Sequence, residues 1–599
     1  MTCAEHEDAP QVFQSPNRAA RVAITLAASL SGAASMAEVI PQGTYTIPFR
    51  VVTGEEKTFV GGTVITPKPP YPQNMGGTGI QVQGGLAILD PSLGDGTPIR
   101  ISVNGDAIDG LYVRSGGRME VKPGGVYVYA TGGSVRGIYN VGSAGLPAQF
   151  DGTNVYVTTD FAGSHALRTF GASATTVMRD STLTTLQDGS KGAEVWQGAK
   201  AELHNTAILT KGTTAYGVHV LNKGSEVTTI NGSITTEGAS VHGVLVQDFG
   251  KFTGNGTSVH TQGANAIGVY IVTDGAFVSD GMSIQSDRTY GVYASSGSIA
   301  MKDTQVSTLA AGTFALFVTG VVPVTVDGGL IQTTADRSVG VRTQSGAVAT
   351  ISGAQVSTAG QAAYGIHVEG WGTVNLDRDG ETGSLVSTQG ADADAVRVSA
   401  NATRFSATGA TLQTAGANAQ GLHLTGTAGA AAKSFTLVDS TITSAQADAI
   451  RLTQGPAVVS LTGSSVTGGN AAINIGATSA ATADIAASAT LIHGRVLTQP
   501  GSTANLSMSN DSNWVMTGNS TVTTLANNDS LIDFTPPQAG TYKTLTVQNY
   551  SGVCGADRCE IHVVMPDAPR RGRRCNSRSP CFSAGSPPET SEPGRSAAG

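Results

Sequence analysis

One short phrase returns along most of this chain of 599 residues, and it constrains the fold more than any other feature. In Tyr216-Gly217-Val218-His219-Val220, a glycine precedes two apolar residues that bracket a third residue, which we expect to face outward. The fifteen copies recur with a mean period of about 26 residues, which lies in the range of solenoids and other repeat proteins. Counted from the glycine or alanine, the copies begin at Gly110, Gly137, Ala166, Gly192, Gly217, Gly243, Gly268, Gly291, Ala315, Gly340, Gly365, Ala395, Gly421, Ala449 and Ala472.

A second phrase keeps step with the first, mostly five to nine residues ahead of it, as in Ile208-Leu209-Thr210 and Val356-Ser357-Thr358. Both phrases are short, alternating and bounded by Gly, Asn, Asp and Ser, a pattern that indicates strands joined by turns. The period is too short for a four-stranded propeller blade, and the leucine-rich-repeat consensus is absent. The sequence therefore predicts an all-β fold, a right-handed parallel β-helix whose turns stack about 4.8 Å apart.

The composition agrees with one elongated, ordered domain and excludes some functions. Charged residues make up only 13% of the chain and glycine contributes 78 residues, which suits tight turns around a narrow apolar core. The formal net charge is -8, and the last 34 residues contain six arginines and three acidic residues, so the preceding body carries -11. Such an acidic body is not expected to bind nucleic acid. We also expect no cofactor.

The N-terminal residues 1–37 have the pattern of an export signal. Arg18 and Arg21 precede an apolar run over residues 22–34, and Ser35-Met36-Ala37 places small residues where a signal peptidase reads them. We predict cleavage after Ala37. The alternative is a buried N-terminal strand or short helix, since residues 5–8 are acidic for such a signal. No apolar run reaches the roughly 18 residues that a membrane helix needs.

The remaining chain divides by the regularity of its repeat. Residues 38–105 contain strand-like pieces and the proline-rich stretch 67–72, and they are predicted to form irregular capping turns. The regular β-helix is predicted over residues 106–480. Three further strand-like motifs then follow in order, at Trp514-Val515-Met516, at Leu531-Ile532-Asp533-Phe534 and at Tyr542-Lys543-Thr544-Leu545-Thr546-Val547.

That ordered series resembles the C-terminal end of the passenger domain in pertactin-like autotransporters, where three such strands close the β-helix. The resemblance covers roughly residues 38–552, and residues 481–552 correspond to the family's autochaperone segment. It implies a virulence-type protein of a Gram-negative bacterium, with a cleaved signal and a β-helical passenger. For an intact family member, it implies a location at the cell surface, anchored in the outer membrane by a C-terminal β-barrel.

The sequence departs from the family after residue 552. The family's barrel is replaced by Cys554, Cys559, Cys575 and Cys581 and by an arginine-rich stretch over residues 570–574. We predict that the reading frame shifts near residue 552, so that residues 553–599 are a non-native, disordered tail and this chain is periplasmic or secreted. The alternatives are a disulfide-bonded or zinc-binding tail, but the cysteine spacing fits no metal site well. Translating the DNA in all three frames tests this prediction.

Several aspartates near the turns could serve either an enzymatic site or the turns themselves. Sugar-cleaving β-helices need carboxylates that converge on one face. The interpretation we favour is that these residues make Asx turns between strands. No serine stands in a G-x-S-x-G setting, and the lone histidines His165, His204, His242 and His260 are expected to be solvent-facing residues rather than ligands. The candidate carboxylates are Asp377, Asp379, Asp392, Asp394 and Asp448.

The outward residues of the first phrase form the strongest candidate for a site. If the phrases stack in register, these residues lie in one column, where rings can stack on sugars or peptide side chains and arginines can pair with sulfate or carboxylate groups. The alternative is that stacked side chains only stabilise neighbouring strands. The column would contain Tyr112, Tyr139, Arg168, Glu194, His219, Leu245, Tyr270, Tyr293, Phe317, Arg342, His367, Arg397, His423, Arg451 and Asn474. The predicted binding residues are Tyr270, Tyr293, Phe317, Arg342, His367, Arg397, His423 and Arg451.

The sequence thus predicts a non-enzymatic, monomeric adhesin or other host-interaction factor, whose partner is a host glycan or a host surface protein. The alternatives are a polysaccharide-degrading β-helix enzyme and a non-functional truncated gene product. No metal site is expected.

Overall fold

In the computed structural model, the described residues are 37–69, 71, 77–399, 402, 404–427, 429–430, 432–476, 480–536, 542–553 and 560–563. All of them belong to the unit Ala37–Gly599. The predicted signal up to Met36, and most of the predicted tail with its four cysteines, lie outside these residues. The first strand begins at Ala37, the predicted cleavage position.

The strands form three parallel sheets, here named A, B and C, and each turn of the chain contributes to them in that order. The strands of sheet A are Ala37–Ile40, Glu56–Gly61, Leu86–Gly94, Arg118–Val121, Ala148–Thr153, Ala174–Arg179, Lys200–His204, Glu226–Ile230, Lys251–Asn255, Ala276–Asp280, Ser298–Lys302, Pro323–Asp327, Val348–Ser352, Thr373–Asp379, Arg404–Thr408, Lys433–Val438, Gly455–Thr462, Ala481–Ser488, Thr503–Ser509, Ser520–Asn528 and Leu545–Val553. The short strand Thr382–Gly383 pairs antiparallel with Thr373–Asp379.

Sheet B is built from the second phrase of the repeat. Its strands are Gly43–Tyr45, Thr63–Ile65, Ile99–Asn104, Val126–Thr131, Val155–Thr159, Thr182–Thr185, Ala207–Thr210, Ser233–Thr236, Ser258–Thr261, Ser283–Ser286, Gln305–Thr308, Leu330–Thr333, Gln355–Thr358, Leu385–Thr388, Thr411–Thr414, Thr441–Ser444, Ser465–Gly468, Leu491–His493, Asn513–Met516, Leu531–Phe534 and Glu560–Val563.

Sheet C is built from the first phrase. Its strands are Phe49–Val52, Ile80–Gln83, Asp109–Arg114, Arg136–Val141, His165–Phe170, Lys191–Trp196, Val218–Leu221, Val244–Gln247, Val269–Ile271, Val292–Ala294, Phe314–Thr319, Val339–Gln344, Ile366–Val368, Val396–Val398, Leu422–Leu424, Asp448–Leu452, Ala471–Ile475 and Val496–Thr498. These eighteen strands in the described part of the chain, each paired with its counterpart in the next turn, confirm the predicted all-β parallel β-helix.

The phrase folds as it does because sheets B and C meet at a sharp corner. Val218 and Val220 are fully buried, while His219 between them lies on the outer face. A Cβ atom at Gly217 would lie 2.4 Å from Cγ2 of Ile234 and 2.5 Å from the carbonyl oxygen of Gly243. The glycine is therefore needed for close approach between turns.

Buried threonines complete the same corner from the side of sheet B. The Oγ1 of Thr210 donates a hydrogen bond of 3.1 Å to the carbonyl oxygen of Ala215, and Thr261 donates one of 2.9 Å to Ala266. Because a buried carbonyl without a partner is costly, these hydroxyls stabilise the bend.

The two ends of the β-helix differ from its middle. Residues 38–105, predicted as capping turns, contribute strands to all three sheets, with a register shift at Val60/Gly61. Beyond Val496–Thr498, the described residues continue sheets A and B but not sheet C. They include the fully buried Trp514, whose Nε1 donates to the carbonyl oxygen of Gly494 over 2.9 Å. The predicted frame-shift point lies in strand Leu545–Val553, and Glu560–Val563 extends sheet B.

Candidate functional site

The central outward residues of sheet C form one unbroken column, here named the sheet C column. Each pairs in register with its counterpart in the next turn, as Tyr112 does with Tyr139 and Arg342 with His367. The structure brings together Tyr112, Tyr139, Arg168, Glu194, His219, Leu245, Tyr270, Tyr293, Phe317, Arg342, His367, Arg397, His423, Arg451 and Asn474. All eight predicted binding residues are members.

Most of these side chains are half-buried because a second column lies beside the first, three residues earlier in each turn. We name it the flanking column. Backbone hydrogen bonds between successive turns hold it in step, as that from Gly217 N to the carbonyl oxygen of His242 shows. Its members are Asp109, Arg136, His165, Lys191, Tyr216, His242, Ile267, Tyr290, Phe314, Val339, Tyr364, Asp394, Gln420 and Asp448.

At the N-terminal end the two columns form a stack of rings and charges. The rings of Tyr112 and Tyr139 are stacked at a centroid distance of 5.2 Å. The guanidinium of Arg136 lies 4.0 Å from the ring centre of Tyr139, and its Nη2 lies 3.1 Å from Oδ2 of Asp109. Burial raises the pKa of Asp109 to about 6, against the opposing effect of Arg136.

One buried carboxylate gathers four basic side chains over the next three turns. The Oε2 of Glu194 lies 2.9 Å from Nε of Arg168 and 3.8 Å from Nε2 of His165, and its Oε1 lies 3.5 Å from Nδ1 of His219. Lys191 forms a further ion pair with it. Burial raises the pKa of Glu194, but these neighbours outweigh it and hold the pKa well below its usual range.

The middle of the face is aromatic. The rings of Tyr270 and Tyr293 are stacked at 5.1 Å, and those of Tyr293 and Phe317 at 5.0 Å. In the flanking column, Tyr290 stacks on Phe314 at 5.2 Å. Because offset stacking stabilises neighbouring rings beyond area burial, this segment is rigid and presents ring edges and hydroxyls outward.

His242 joins the aromatic segment to the Glu194 cluster. Its ring stacks on Tyr216 at 5.4 Å and meets Tyr270 edge-on at 5.0 Å. The backbone N–H of Ile267 donates to its Nδ1 over 3.4 Å. Burial, reinforced by the charge of the neighbouring His219, lowers the pKa of His242 to about 4. The imidazole is therefore neutral near neutral pH.

Arg342 follows the aromatic segment and carries its own counterion. Its guanidinium lies 5.2 Å from the ring centre of Phe317, and its Nε donates to Oε1 of Glu369 over 2.8 Å. Nε2 of His367 lies 2.9 Å from Oγ of Ser399 and 3.5 Å from Oε2 of Glu369. Burial lowers the pKa of His367 to about 4, although Glu369 acts in the opposite direction.

The next two turns repeat this arrangement with Asp394. The guanidinium of Arg397 lies 4.8 Å from the ring centre of Tyr364, and its Nη1 lies 3.8 Å from Oδ2 of Asp394. Nδ1 of His423 lies 2.8 Å from the same oxygen, and the backbone N–H of Gln420 donates to Oδ1 over 2.9 Å. The carboxylate is therefore fully engaged within the face.

Arg451 differs from the other two predicted arginines. The nearby Asp448 accepts hydrogen bonds from Nδ2 of Asn470 at 2.6 Å and of Asn474 at 2.9 Å. No described residue forms an ion pair with Arg451, and its buried Nε has no hydrogen-bond partner among them. Of the three arginines, Arg451 is thus best placed to pair with an external anion.

The candidate carboxylates of an enzyme separate into two groups. Asp392 has a φ of 57°, as expected for a turn residue. Asp377 lies within strand Thr373–Asp379 and accepts a hydrogen bond from the N–H of Arg378, so its interpretation as an Asx-turn residue is wrong. Asp394 and Asp448 are only 2% exposed and bind side chains of other turns, so their interpretation as Asx-turn residues is wrong.

His367 and His423, the two column histidines that contact Glu369 and Asp394, do not form a triad of serine, histidine and carboxylate. A triad needs the carboxylate and the serine on opposite ring nitrogens, but Ser399 and Glu369 both contact Nε2 of His367. Nε2 of His423, opposite its carboxylate partner, is buried and has no partner in the described chain. The same part of the chain contains no group of three His, Cys, Asp or Glu that could hold a metal ion.

The sequence patterns did not reveal the flanking column. His165 and His242 are covered members of it, so the expectation that they face solvent is wrong. His260, in contrast, is 36% exposed and lies 3.0 Å from Asp287 on sheet B. The available signal was position, since each flanking residue stands three places before a column residue.

Within the described residues, no helix is long and apolar enough to cross a membrane.

Comparison with known proteins found no matching family model and no matching curated protein. Among solved structures, the chain is similar to one from the cryo-EM structure of the Vag8–C1 inhibitor complex, with 16% identity and a TM-score of 0.45, covering 86% of this chain and 100% of that one. A likeness at this level adds no argument, and the parallel β-helix rests on the strand pairing itself.

Proposed function

We propose that this chain is an exported passenger of the autotransporter type, whose β-helix acts without enzymatic activity as an adhesin or host-interaction virulence factor. The parallel β-helix and the three ordered motifs at its C-terminal end support this proposal. The observation that carries it is the unbroken sheet C column. A solenoid gives such a column a fixed repeat, so it suits an extended partner.

The column is preorganised for binding by contacts within the protein. Stacked rings and internal ion pairs hold the side chains in place, so little conformational entropy is lost when a partner binds. The half-buried rings of Tyr270 and Tyr293 offer edges and hydroxyls, which suit sugars as well as peptide groups. The partner is therefore proposed to be a host glycan or a host surface protein.

Arg451 offers the sharpest test because its removal leaves no internal counterion unpaired. Replacing Arg342 would instead leave Glu369 without its guanidinium, which confounds binding with folding. A guanidinium that pairs with a carboxylate or sulfate contributes about 1.5–3 kcal/mol. We therefore expect Arg451→Ala to weaken binding by about tenfold or more, with unchanged thermal unfolding.

The measurement is binding of the purified chain to immobilised heparin and to immobilised extracellular-matrix proteins. Arg404→Ala is the matched control, since Arg404 is an exposed arginine on sheet A. Equal binding by the parent and by Arg451→Ala would show that Arg451 does not contribute to partner binding. Shortening of a polysaccharide by the purified chain would instead favour a polysaccharide-degrading enzyme.

A further inference from the structure

Three tyrosines and one arginine form a patch on the outer face of sheet B, towards the N-terminal end of the β-helix. In strand Val126–Thr131 the valines are buried, while Tyr127 and Tyr129 point outward and are 38% and 41% exposed. Tyr127 pairs in register with Arg100 of the preceding turn and with Tyr156 of the following one. We name Arg100, Tyr127, Tyr129 and Tyr156 the tyrosine patch.

The tyrosines are larger than the fold of sheet B requires. In the turns that follow, the corresponding outward residues are Thr158, Thr182 and Thr184. Threonine suits a strand about as well as tyrosine does, so strand formation alone does not call for three outward rings. Outward tyrosines that lie side by side are instead typical of surfaces that bind a partner.

Contacts within the patch hold its side chains in place. The rings of Tyr127 and Tyr156 are stacked at a centroid distance of 4.7 Å, and the guanidinium of Arg100 lies 5.0 Å from the ring centre of Tyr127. The hydroxyl of Tyr129 donates to Oδ2 of Asp160 over 3.0 Å. The hydroxyls of Tyr127 and Tyr156 have no hydrogen-bond partner among the described residues, so a ligand can bind them.

The positive charge of the patch is not neutralised within the described chain. Arg100 is exposed and forms no ion pair with any described residue. Asp95 is engaged by Thr97, whose N–H and hydroxyl donate to its Oδ1 over 2.9 and 2.7 Å, and Asp160 also accepts from Nε2 of Gln187 over 2.8 Å. A guanidinium stacked on a ring keeps the N–H groups of its edge free to pair with an anion. The patch therefore favours an anionic ligand.

The size of the patch favours a short sugar chain over a folded protein. The backbone from Arg100 to Tyr156 spans about 10 Å along the solenoid, and Tyr127 and Tyr129 lie about 7 Å apart along their strand. A specific protein interface buries roughly 800 Å² on each partner, far more than these side chains offer. Ring edges and hydroxyls beside a cation instead match an acidic sugar, which combines C–H groups, hydroxyls and an anionic group.

We propose that the tyrosine patch binds an acidic sugar unit of a host glycan. The carboxylate or sulfate of the sugar pairs with Arg100, and its hydroxyls exchange hydrogen bonds with those of Tyr127 and Tyr156. This deepens the proposed function, on which it rests for the host glycan as partner, and assigns a second site outside the sheet C column. Because the two sites share no residue, either can fail while the other stands.

The test is saturation-transfer difference NMR of the full chain, titrated with lactose, sialyllactose and sulfated lactose. The three probes share one neutral core, so sialyllactose reports recognition of a carboxylate and sulfated lactose that of a sulfate. We expect at least one acidic probe to bind about tenfold or more tightly than lactose. Added salt should weaken that binding, because the arginine is exposed.

Two variants identify the site. Arg100→Gln removes the charge and should lower the affinity for the acidic probe to that for lactose. Tyr127→Phe keeps the ring stack but removes the hydroxyl, so it should weaken binding about fivefold with unchanged thermal unfolding. The controls are Arg404→Gln on sheet A and Arg451→Ala in the sheet C column, and both should retain the parent's affinity.

Equal binding of lactose and the acidic probes, or binding of none of them, would overturn the proposal. So would an unchanged affinity in Arg100→Gln, while a loss of thermal stability in both variants would show that the patch is structural. Loss of affinity in Arg451→Ala but not in Arg100→Gln would place the sugar on the sheet C column. That result would support the proposed function and refute the tyrosine patch.

Discussion

Replacing His242 by phenylalanine tests whether the imidazole of His242 is as well shielded from water as its contacts indicate. The phenyl ring can keep the stack on Tyr216 and the edge contact with Tyr270, while it removes the titrating group. The groups that face the imidazole are these two rings, His219, and the N–H of Ile267. Loss of that weak hydrogen bond costs about 1 kcal/mol at every pH.

The pH-dependent part has a definite sign and size. Burial lowers the folded-state pKa of His242 from 6.5 to about 4. As the pH falls, the unfolded chain therefore takes up the proton first, and stability is greatest above pH 6.5 and is lost down to about pH 4. At about 1.4 kcal/mol per pKa unit, this histidine costs the folded state about 2 kcal/mol between pH 7 and pH 5.

Urea unfolding at pH 7 and pH 5, followed by circular dichroism at one ionic strength, measures this difference. The parent should lose about 2 kcal/mol more than His242→Phe across this interval, since His165 and His367 contribute equally to both proteins. His493→Phe, at an exposed position of sheet B, controls for the exchange itself. If the parent and His242→Phe lose the same free energy of unfolding between pH 7 and pH 5, the imidazole of His242 is not shielded from water as proposed.

Two further substitutions probe the corners and the C-terminal end. Gly217→Ala should destabilise by about 1–3 kcal/mol, because its Cβ would meet Ile234 and the Gly243 carbonyl; an unchanged urea midpoint would contradict the close approach. Trp514→Phe keeps the buried ring but removes the donor to the Gly494 carbonyl, so it should destabilise by about 1–3 kcal/mol in the same assay. A stability equal to that of the parent would show that the carbonyl finds another donor.

The sheet C column could be predicted because it depends on period-2 alternation alone. Once Val218 and Val220 point inward, His219 must point outward, and equal spacing in every copy then fixes the register. The same alternation predicted the strands of sheet B. Neither prediction needed information about turn conformation.

Turn conformation is where sequence patterns failed. The flanking column precedes the strands and is aligned by the corner between sheets B and C, so Asp394 and His242 gave no periodic signal of burial. Likewise, the left-handed conformation at Trp371 contradicts its residue type and could not be inferred from it. Such disagreement between local preference and fold is expected at functional or strained positions.

Ion pairs within the sheet C column and the flanking column limit which partners this face can recognise. Glu194, Glu369 and Asp394 each lie among arginine, lysine or histidine side chains, so the face creates little field at long range. The net charge of -8 therefore resides elsewhere and favours solubility more than recognition. Selectivity on this face must come from short contacts with rings and hydroxyls, and Arg451 is the position where a charged partner gains most.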